Sequence, residues 1–485
     1  MSVAVHNPLQ HRGRLRALIE TLETGLLERS AAVRLALLSA LAGEHVLLIG
    51  PPGTAKSELA RRLHRAFDGA RYFERLLTRF STPEELFGPL SLKALEHDRY
   101  ERLTDGYLPT ASIAFLDEVF KANSAILNAL LTLLNEREFD NGSARARTPL
   151  ICVIGATNDV PQDEALMAFY DRFLVRVPVA AVSDASFAPL LALGPARDGI
   201  AQAAAHLAGL AVTRAELGEW LSGRDALAIA PEVVSHLQAL RAFCGERGIV
   251  VSDRRWRQLI GLLRTAALTD GRPQVDALDL WLLPYLLAAE PGQVAGLQDW
   301  FAREVAQAAP QDAPWLTRAV EAFEKQLEIE TRAQSQEGDD SAGKLALARS
   351  IGGAQSERAG DSKSAASGEG GMLRMLTASL EAHLRKRYSG VHVAARVAQI
   401  DEVLDAARDH HAQIGAQTAA LAQALAERLW LPPDLAAQLL QAKQQTLAML
   451  AALVERLQET RAGFAALPID PQQMGSVPEP VALRA

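Results

Sequence analysis

His45-Val46-Leu47-Leu48-Ile49-Gly50-Pro51-Pro52-Gly53-Thr54-Ala55-Lys56-Ser57 is the stretch from which the rest of the chain is read. An apolar run of this length suits a buried strand, and the Gly/Pro turn ends it. From Ser57 to Phe67 the spacing of Leu59, Leu63 and Phe67 is helical. Strand, glycine turn and helix together let backbone N–H groups curl around a phosphate, with the positive end of the helix behind them. In this reading Gly50, Pro51, Pro52, Gly53, Thr54 and Ala55 form the cradle, Lys56 reaches the β- and γ-phosphates of ATP, and Ser57 ligates Mg2+. Ala55 stands where the pattern normally has glycine. Because it enters a helix, a negative φ is expected there, which accommodates the methyl group.

Working outward, the same alternation recurs. Ile113 to Leu116 reads as a buried strand followed by a helix from Asn123 to Asn135, and Leu150 to Ile154 as another strand ending in Gly155-Ala156-Thr157-Asn158. Short, unalternating apolar strands separated by helices imply a mostly parallel sheet covered on both faces. Two helices lie between residues 14 and 42, with Leu15, Leu18, Ile19 and Leu22 on the first and Val33, Leu37, Leu38 and Leu41 on the second. The fold class expected is an α/β P-loop NTPase core, with a nucleotide-binding domain over residues 1–190.

Residues 191–290 read as an all-helical lid, without a convincing strand after Pro231 and with helices Glu232 to Cys244, Asp253 to Leu268 and Ala277 to Leu287. Residues 291–333 begin a helical arm, with Trp300, Phe301 and Val305 on one face and Trp315, Val320, Phe323 and Leu327 on the next. Residues 334–371 are so rich in Ser, Gly, Asp, Glu and Ala that a disordered linker is expected. The arm resumes over 372–470 with an apolar stripe that includes Ile400, Leu404, Leu425, Leu439, Leu450 and Leu457, and 471–485 is a tail.

The 485 residues exceed what one core usually serves, and 49% are apolar with only 5% aromatic, which favours helices. A net charge of −8 argues against a protein whose main business is gripping a phosphate backbone, so nucleic acid is an unlikely partner. Cys152 and Cys244 lack metal-ligand spacing and read as small core residues in a reducing compartment. The N-terminus lacks the apolar run of a signal peptide, and no window approaches the ~20 apolar residues of a membrane helix. A cytoplasmic protein with no membrane segment is expected.

Four further constellations carry chemistry. The strand Ile113-Ala114-Phe115-Leu116 ends in Asp117-Glu118, at the strand end where α/β sheets bind ligands. Asp117 suits Mg2+ held through its water shell, and Glu118 suits polarising an attacking water. Asn158 follows its strand in position to orient that water. In Asp171-Arg172-Phe173-Leu174-Val175-Arg176, an arginine supplied across a subunit boundary would stabilise charge on the transferred phosphoryl group; Arg172 is preferred and Arg176 is the alternative. Ser252-Asp253-Arg254-Arg255-Trp256 starts a helix with Ser252 as N-cap. A cation there can reach the γ-phosphate and couple domain angle to nucleotide state, with Arg254 chosen over Arg255.

Together these motifs resemble the MoxR family of AAA+ ATPases, and Thr78-Arg79-Phe80-Ser81-Thr82-Pro83-Glu84-Glu85-Leu86-Phe87-Gly88-Pro89-Leu90-Ser91 with Tyr107-Leu108-Pro109 looks like its RavA branch. The resemblance covers roughly residues 12–290. It implies Walker A in the loop ending at Lys56-Ser57, Walker B in Asp117 and Glu118, sensor 1 in Asn158, the arginine finger in Arg172 and sensor 2 in Arg254. An insert in the second helix is matched to Ser81–Ser112, and a hairpin before sensor 1 to Arg137–Pro149. Hexameric rings, a partner with a von Willebrand factor A domain, and chaperone-like remodelling or maturation of a protein client are also implied. The alternatives are a metal-chelatase-type motor subunit, for which His410-His411 is a weak metal pair, and a nucleic-acid or transcription-linked motor using Arg145 and Arg147.

Overall fold

The computed structural model describes residues 8–193, 207, 209–308, 313–332, 387–472 and 475–481. The chain divides into one unit of Met1–Ala309 with Leu421–Leu440, and a second of Pro310–Ala420 with Gln441–Ala485.

In the first unit β1 (Val46–Ile49), β2 (Tyr72–Leu76), β3 (Ile113–Asp117), β6 (Cys152–Thr157) and β7 (Val175–Pro178) form one parallel sheet in the order β2-β3-β6-β1-β7. Between β3 and β6, β4 (Glu138–Asn141) and β5 (Ala144–Arg147) make an antiparallel hairpin. Successive strand residues point to opposite faces. Val46, Leu48, Ile113 and Phe115 therefore enter one core with the N-terminal helices and the lid, while Leu47, Ile49, Ala114 and Leu116 enter another with the helix Ser124–Glu136. Both faces are buried, which is why these strands read as continuous apolar runs.

β2 and β7 carried no strand signal because they are the two sheet edges. Tyr72-Phe73-Glu74-Arg75-Leu76 and Val175-Arg176-Val177-Pro178 pair on one side only, where charged residues and proline are tolerated. Boundaries shift elsewhere too. The helix after the glycine turn is Lys56–Leu63, followed by a 3-10 turn His64–Ala66, and β6 takes in Gly155-Ala156-Thr157.

After β7 the first unit contains the helices Arg214–Gly223, Pro231–Glu246, Asp253–Thr269 and, where the arm was expected to begin, Pro291–Trp300. Ala277 to Leu287 is not one α-helix: a 3-10 segment Ala277–Leu282 precedes a short helix Leu283–Leu287, whose second residue, Pro284, needs no N–H partner there. Gln274–Val275, in a region expected to lack strands, pairs in parallel with Ala228–Ile229. Part of the arm also belongs to this unit. Trp430 is buried and its indole N–H donates to Thr269 Oγ1 at 2.9 Å, Leu429 N–H donates to Asp270, and Arg428 bonds Asp276 at 2.7 Å.

The second unit is helical, with segment 314–332 and portions of Gly390–Ala426 and Pro433–Ala465 around Leu316, Val320, Phe323, Ile400, Leu404, Leu450 and Leu457. Trp315 stands 39% exposed, and Leu316 holds the buried position beside it. The linker expected over 334–371 and the arm's first residues, 372–386, lie outside the described residues. Among the described residues no helix is long and apolar enough to cross a membrane, and no group of three His, Cys, Asp or Glu is placed to hold a metal, the His410-His411 pair included. Cys152 and Cys244 are free and buried, and burial raises both thiol pKa values, to about 12 and about 11.

Candidate functional site

The order β3-β6-β1 sets three strand ends side by side at the carboxyl edge of the sheet. From β1 the chain turns through Gly50 to Ala55 into the helix that opens with Lys56. A Cβ on Gly50 would lie 2.0 Å from the Val179 carbonyl oxygen, so only glycine fits there. Gly53 has φ +78°, and Ala55 has φ +65°. This corrects the expectation for Ala55: it is the left-handed residue before the helix, the conformation glycine normally supplies, and its methyl group is strained there.

Lys56 is buried, and its ammonium donates to the carbonyls of Gly50 at 2.7 Å and Pro51 at 2.8 Å. Burial lowers its pKa, the Asp117 and Glu118 carboxylates act in the opposite sense, and Arg29 adds to the lowering. Those two carboxylates therefore lie within electrostatic reach of the lysine. Arg29 was missed by sequence reading. Its Nε donates to Thr54 O at 3.1 Å and its Nη2 to Ala180 O at 2.7 Å, tying the loop to the segment after β7. No local motif marks an arginine 25 residues upstream of its partner.

Asp117 closes β3 and accepts the Glu118 N–H at 3.0 Å. Glu118 itself adopts φ +52°, costly for a residue with a side chain and commonest where function demands it. Asn158, just beyond β6, donates from Nδ2 to Glu118 Oε1 at 2.8 Å. Lys121, also unforeseen, places its ammonium 3.3 Å from Glu118 Oε2. The turn after β2 is stapled to the same segment, since Leu77 N–H donates to Asp117 O and Asn123 Nδ2 to Ser81 O.

The donor set fits a magnesium nucleotide. Among the described residues the hydrogen bonds of the Lys56 ammonium go to carbonyls of its own loop, and Mg2+ is ordinarily held by one or two protein oxygens together with substrate phosphates, so no closed protein cage is needed. Ser57 and Asp117 are oxygen donors of the required kind.

The opposite edge of the sheet carries a second group. Arg255 is buried: it bonds Asp171 at 3.1 Å and the carbonyls of Leu286, Phe173 and Leu174, the last two just before β7. Arg176 is buried as well, with its guanidinium 4.0 Å from the centre of the Tyr170 ring, so the alternative finger is taken up in packing. Arg254 is exposed and donates to Asn135 Oδ1 at 3.1 Å. One turn along its helix, Gln258 bonds Glu44, which immediately precedes β1. Arg172 has a buried Nε without a hydrogen-bond partner, and burial followed by the nearby Arg254 lowers its pKa.

Arg172 and Arg254 thus lie together at the amino edge, while the phosphate loop leaves the carboxyl edge. The four residues of β1 span roughly 13 Å at ~3.3 Å each. Within one chain Arg254 is thus bonded to Asn135, at the edge opposite the phosphate loop. On the hairpin, Arg145 lies within 3.1 Å of Glu136, Glu138 and Asp140, its charge answered locally, and Arg147 is exposed.

The profile of the MoxR domain in MoxR–vWA–β-propeller ternary systems matches residues 13–215, and that of an AAA lid domain matches residues 232–301. An uncharacterised protein of Methanocaldococcus jannaschii is 39% identical over 275 residues, spanning 56% of this chain and 70% of that one. Protein MoxR of Paracoccus denitrificans is 29% identical over 163 residues, 32% of this chain and 47% of that one. A solved structure from Cytophaga hutchinsonii, described as a candidate ATPase, covers 58% of this chain and 88% of its own at 18% identity and TM-score 0.47. The two profiles together match more than half of the chain, which belongs to the MoxR family of AAA+ ATPases.

Proposed function

We propose that the chain hydrolyses ATP and uses the cycle to remodel or mature a protein client, as a ring of identical subunits working with a partner that carries a von Willebrand factor A domain. One observation carries the hydrolytic part: Lys56, Asp117, Glu118 and Asn158 converge at the carboxyl ends of three adjacent strands. The ternary system named by the matching MoxR profile supports the partner.

Lys56 exchanges its loop carbonyls for the β- and γ-phosphates of ATP, and the backbone from Gly50 to Ser57 holds the triphosphate in place. Mg2+, when bound between Ser57 and Asp117, supplies the positive charge that neutralises the phosphate oxygens. Glu118 accepts a proton from the attacking water, and Asn158 keeps the carboxylate turned toward it. Arg172 and Arg254 sit at the edge remote from their own loop, which suits them to the nucleotide of a neighbouring subunit. Neutralisation of Arg145 by three acids favours a protein client over nucleic acid.

The test is ATP turnover by the purified full chain. Glu118→Gln is expected to lower kcat by ~10²- to 10⁴-fold while nucleotide still binds. Absence of turnover in the wild-type chain, or an unchanged rate in this variant, rules the reading out. Retention of a von Willebrand factor A protein by ATP-loaded Glu118→Gln, and not by the nucleotide-free chain, tests the partner.

A further inference from the structure

We infer that Lys121 is a positioning residue that restrains Glu118 and so acts as a removable brake on hydrolysis; the inference rests on the proposed role of Glu118. Both oxygens of this carboxylate are engaged, Oε1 by the Asn158 amide at 2.8 Å and Oε2 by the Lys121 ammonium at 3.3 Å. The restraint is built into the backbone. Glu118 is held at φ +52° and its carbonyl accepts the Lys121 N–H at 2.8 Å, closing the turn Val119–Lys121 that brings the lysine side chain back over the carboxylate.

The two donors differ in how easily they let go. Glu118 is 16% exposed, whereas Lys121 is 57% exposed and no other ion pair is described for it. A long, solvated side chain held by one ion pair swings away at small cost. While it stays, the ammonium draws charge from the carboxylate that accepts the proton and holds Oε2 in an ion pair. Asn158 fixes the carboxylate and Lys121 occupies it. Departure of Lys121 frees Oε2 and leaves the Asn158 bond intact.

Steady-state ATP turnover by the full chain tests the brake. Lys121→Met is expected to raise kcat by roughly two- to five-fold, the factor an exposed ion pair is worth, with KM for ATP unchanged within about two-fold on the same scale. Lys121→Arg, which keeps the cation, should bring the rate back down, and Lys121→Met combined with Glu118→Gln should be as slow as Glu118→Gln alone. A kcat for Lys121→Met at or below wild type, or a change confined to KM, overturns the brake. If the wild type turns over ATP through Glu118 while Lys121→Met leaves kcat unmoved, the brake fails and the hydrolytic reading stands. If the wild type shows no turnover, both fall.

Discussion

The two edges of the central sheet differ in how they are made. At the carboxyl edge Asp117 ends its own strand, and Lys56 and Asn158 follow theirs after a short turn and by one residue, so three contiguous motifs and the strand order suffice to bring them together. At the amino edge, Arg172, Arg254 and Arg255 meet because a helix some 80 residues after β7 packs back across the sheet. The first edge is assembled by local sequence and the second by tertiary packing. If the chain forms the ring proposed above, each edge holds half of a reaction site, completed by the opposite edge of a neighbouring chain.

The sharpest way to break this comparison is complementation. Arg172→Ala and Lys56→Ala should each lower ATP turnover by ~10³-fold or more when assembled alone. Mixed and co-assembled, the first supplies an intact phosphate loop and the second an intact arginine edge, so a measurable fraction of the wild-type rate should return. If the mixture stays as inactive as either parent, the arginine serves its own chain and the distinction between edges fails. Arg254→Ala in place of Arg172→Ala applies the same test to the lid.

Stability separates the two adjacent arginines. Arg255→Ala leaves three buried carbonyls without their donor and should cost ~3 kcal/mol in denaturant unfolding, as loss of one member of a buried charged network does. Arg254→Ala removes an exposed side chain and should stay within ~0.5 kcal/mol. Equal losses would mean that the buried position is not the one the lid depends on.

These arginines also mark where the sequence stops being informative. The phosphate loop, the acidic strand end and Asn158 follow from residue types that chemistry requires at fixed places. Ser252 as N-cap was equally readable, because its hydroxyl accepts the Arg255 N–H three residues on. Arg29 and Lys121 were not: one acts across 25 residues without a motif, and the other looks like any surface lysine until the left-handed turn at Glu118 folds it back. The direction in which Arg254 points depends on the docking of the lid, which no local pattern encodes. β2 and β7 escaped notice because edge strands need not be apolar.

Between the two edges, His45 enters the sheet with β1. It is fully buried and neutral: Nδ1 accepts the Val153 N–H at 2.9 Å and Nε2 faces Leu134 O at 3.2 Å. Burial, and then Arg137, depresses its pKa well below the ordinary value of 6.5. The unfolded chain therefore binds a proton that the folded chain refuses, and stability should fall as pH drops below about 6.5, by at most ~1.4 kcal/mol per pH unit from this group. Urea unfolding at pH 7.5 and 5.5 measures the slope. His45→Gln, which keeps a donor and an acceptor but does not titrate, should reduce the slope by up to one proton; an identical slope would show that His45 is not the group responsible.

The smallest effect tests the loop itself. Ala55 adopts φ +65°, where a Cβ costs ~1–2 kcal/mol relative to glycine. Ala55→Gly removes that strain but loosens the unfolded chain, which costs ~0.4–1 kcal/mol. The balance favours glycine by up to about 1.6 kcal/mol, readable as a shift in the denaturant midpoint at constant slope. Because the change leaves every donor to the phosphates in place, nucleotide affinity should hold or tighten slightly. Destabilisation by Ala55→Gly would mean that Ala55 carries no strain in the folded loop.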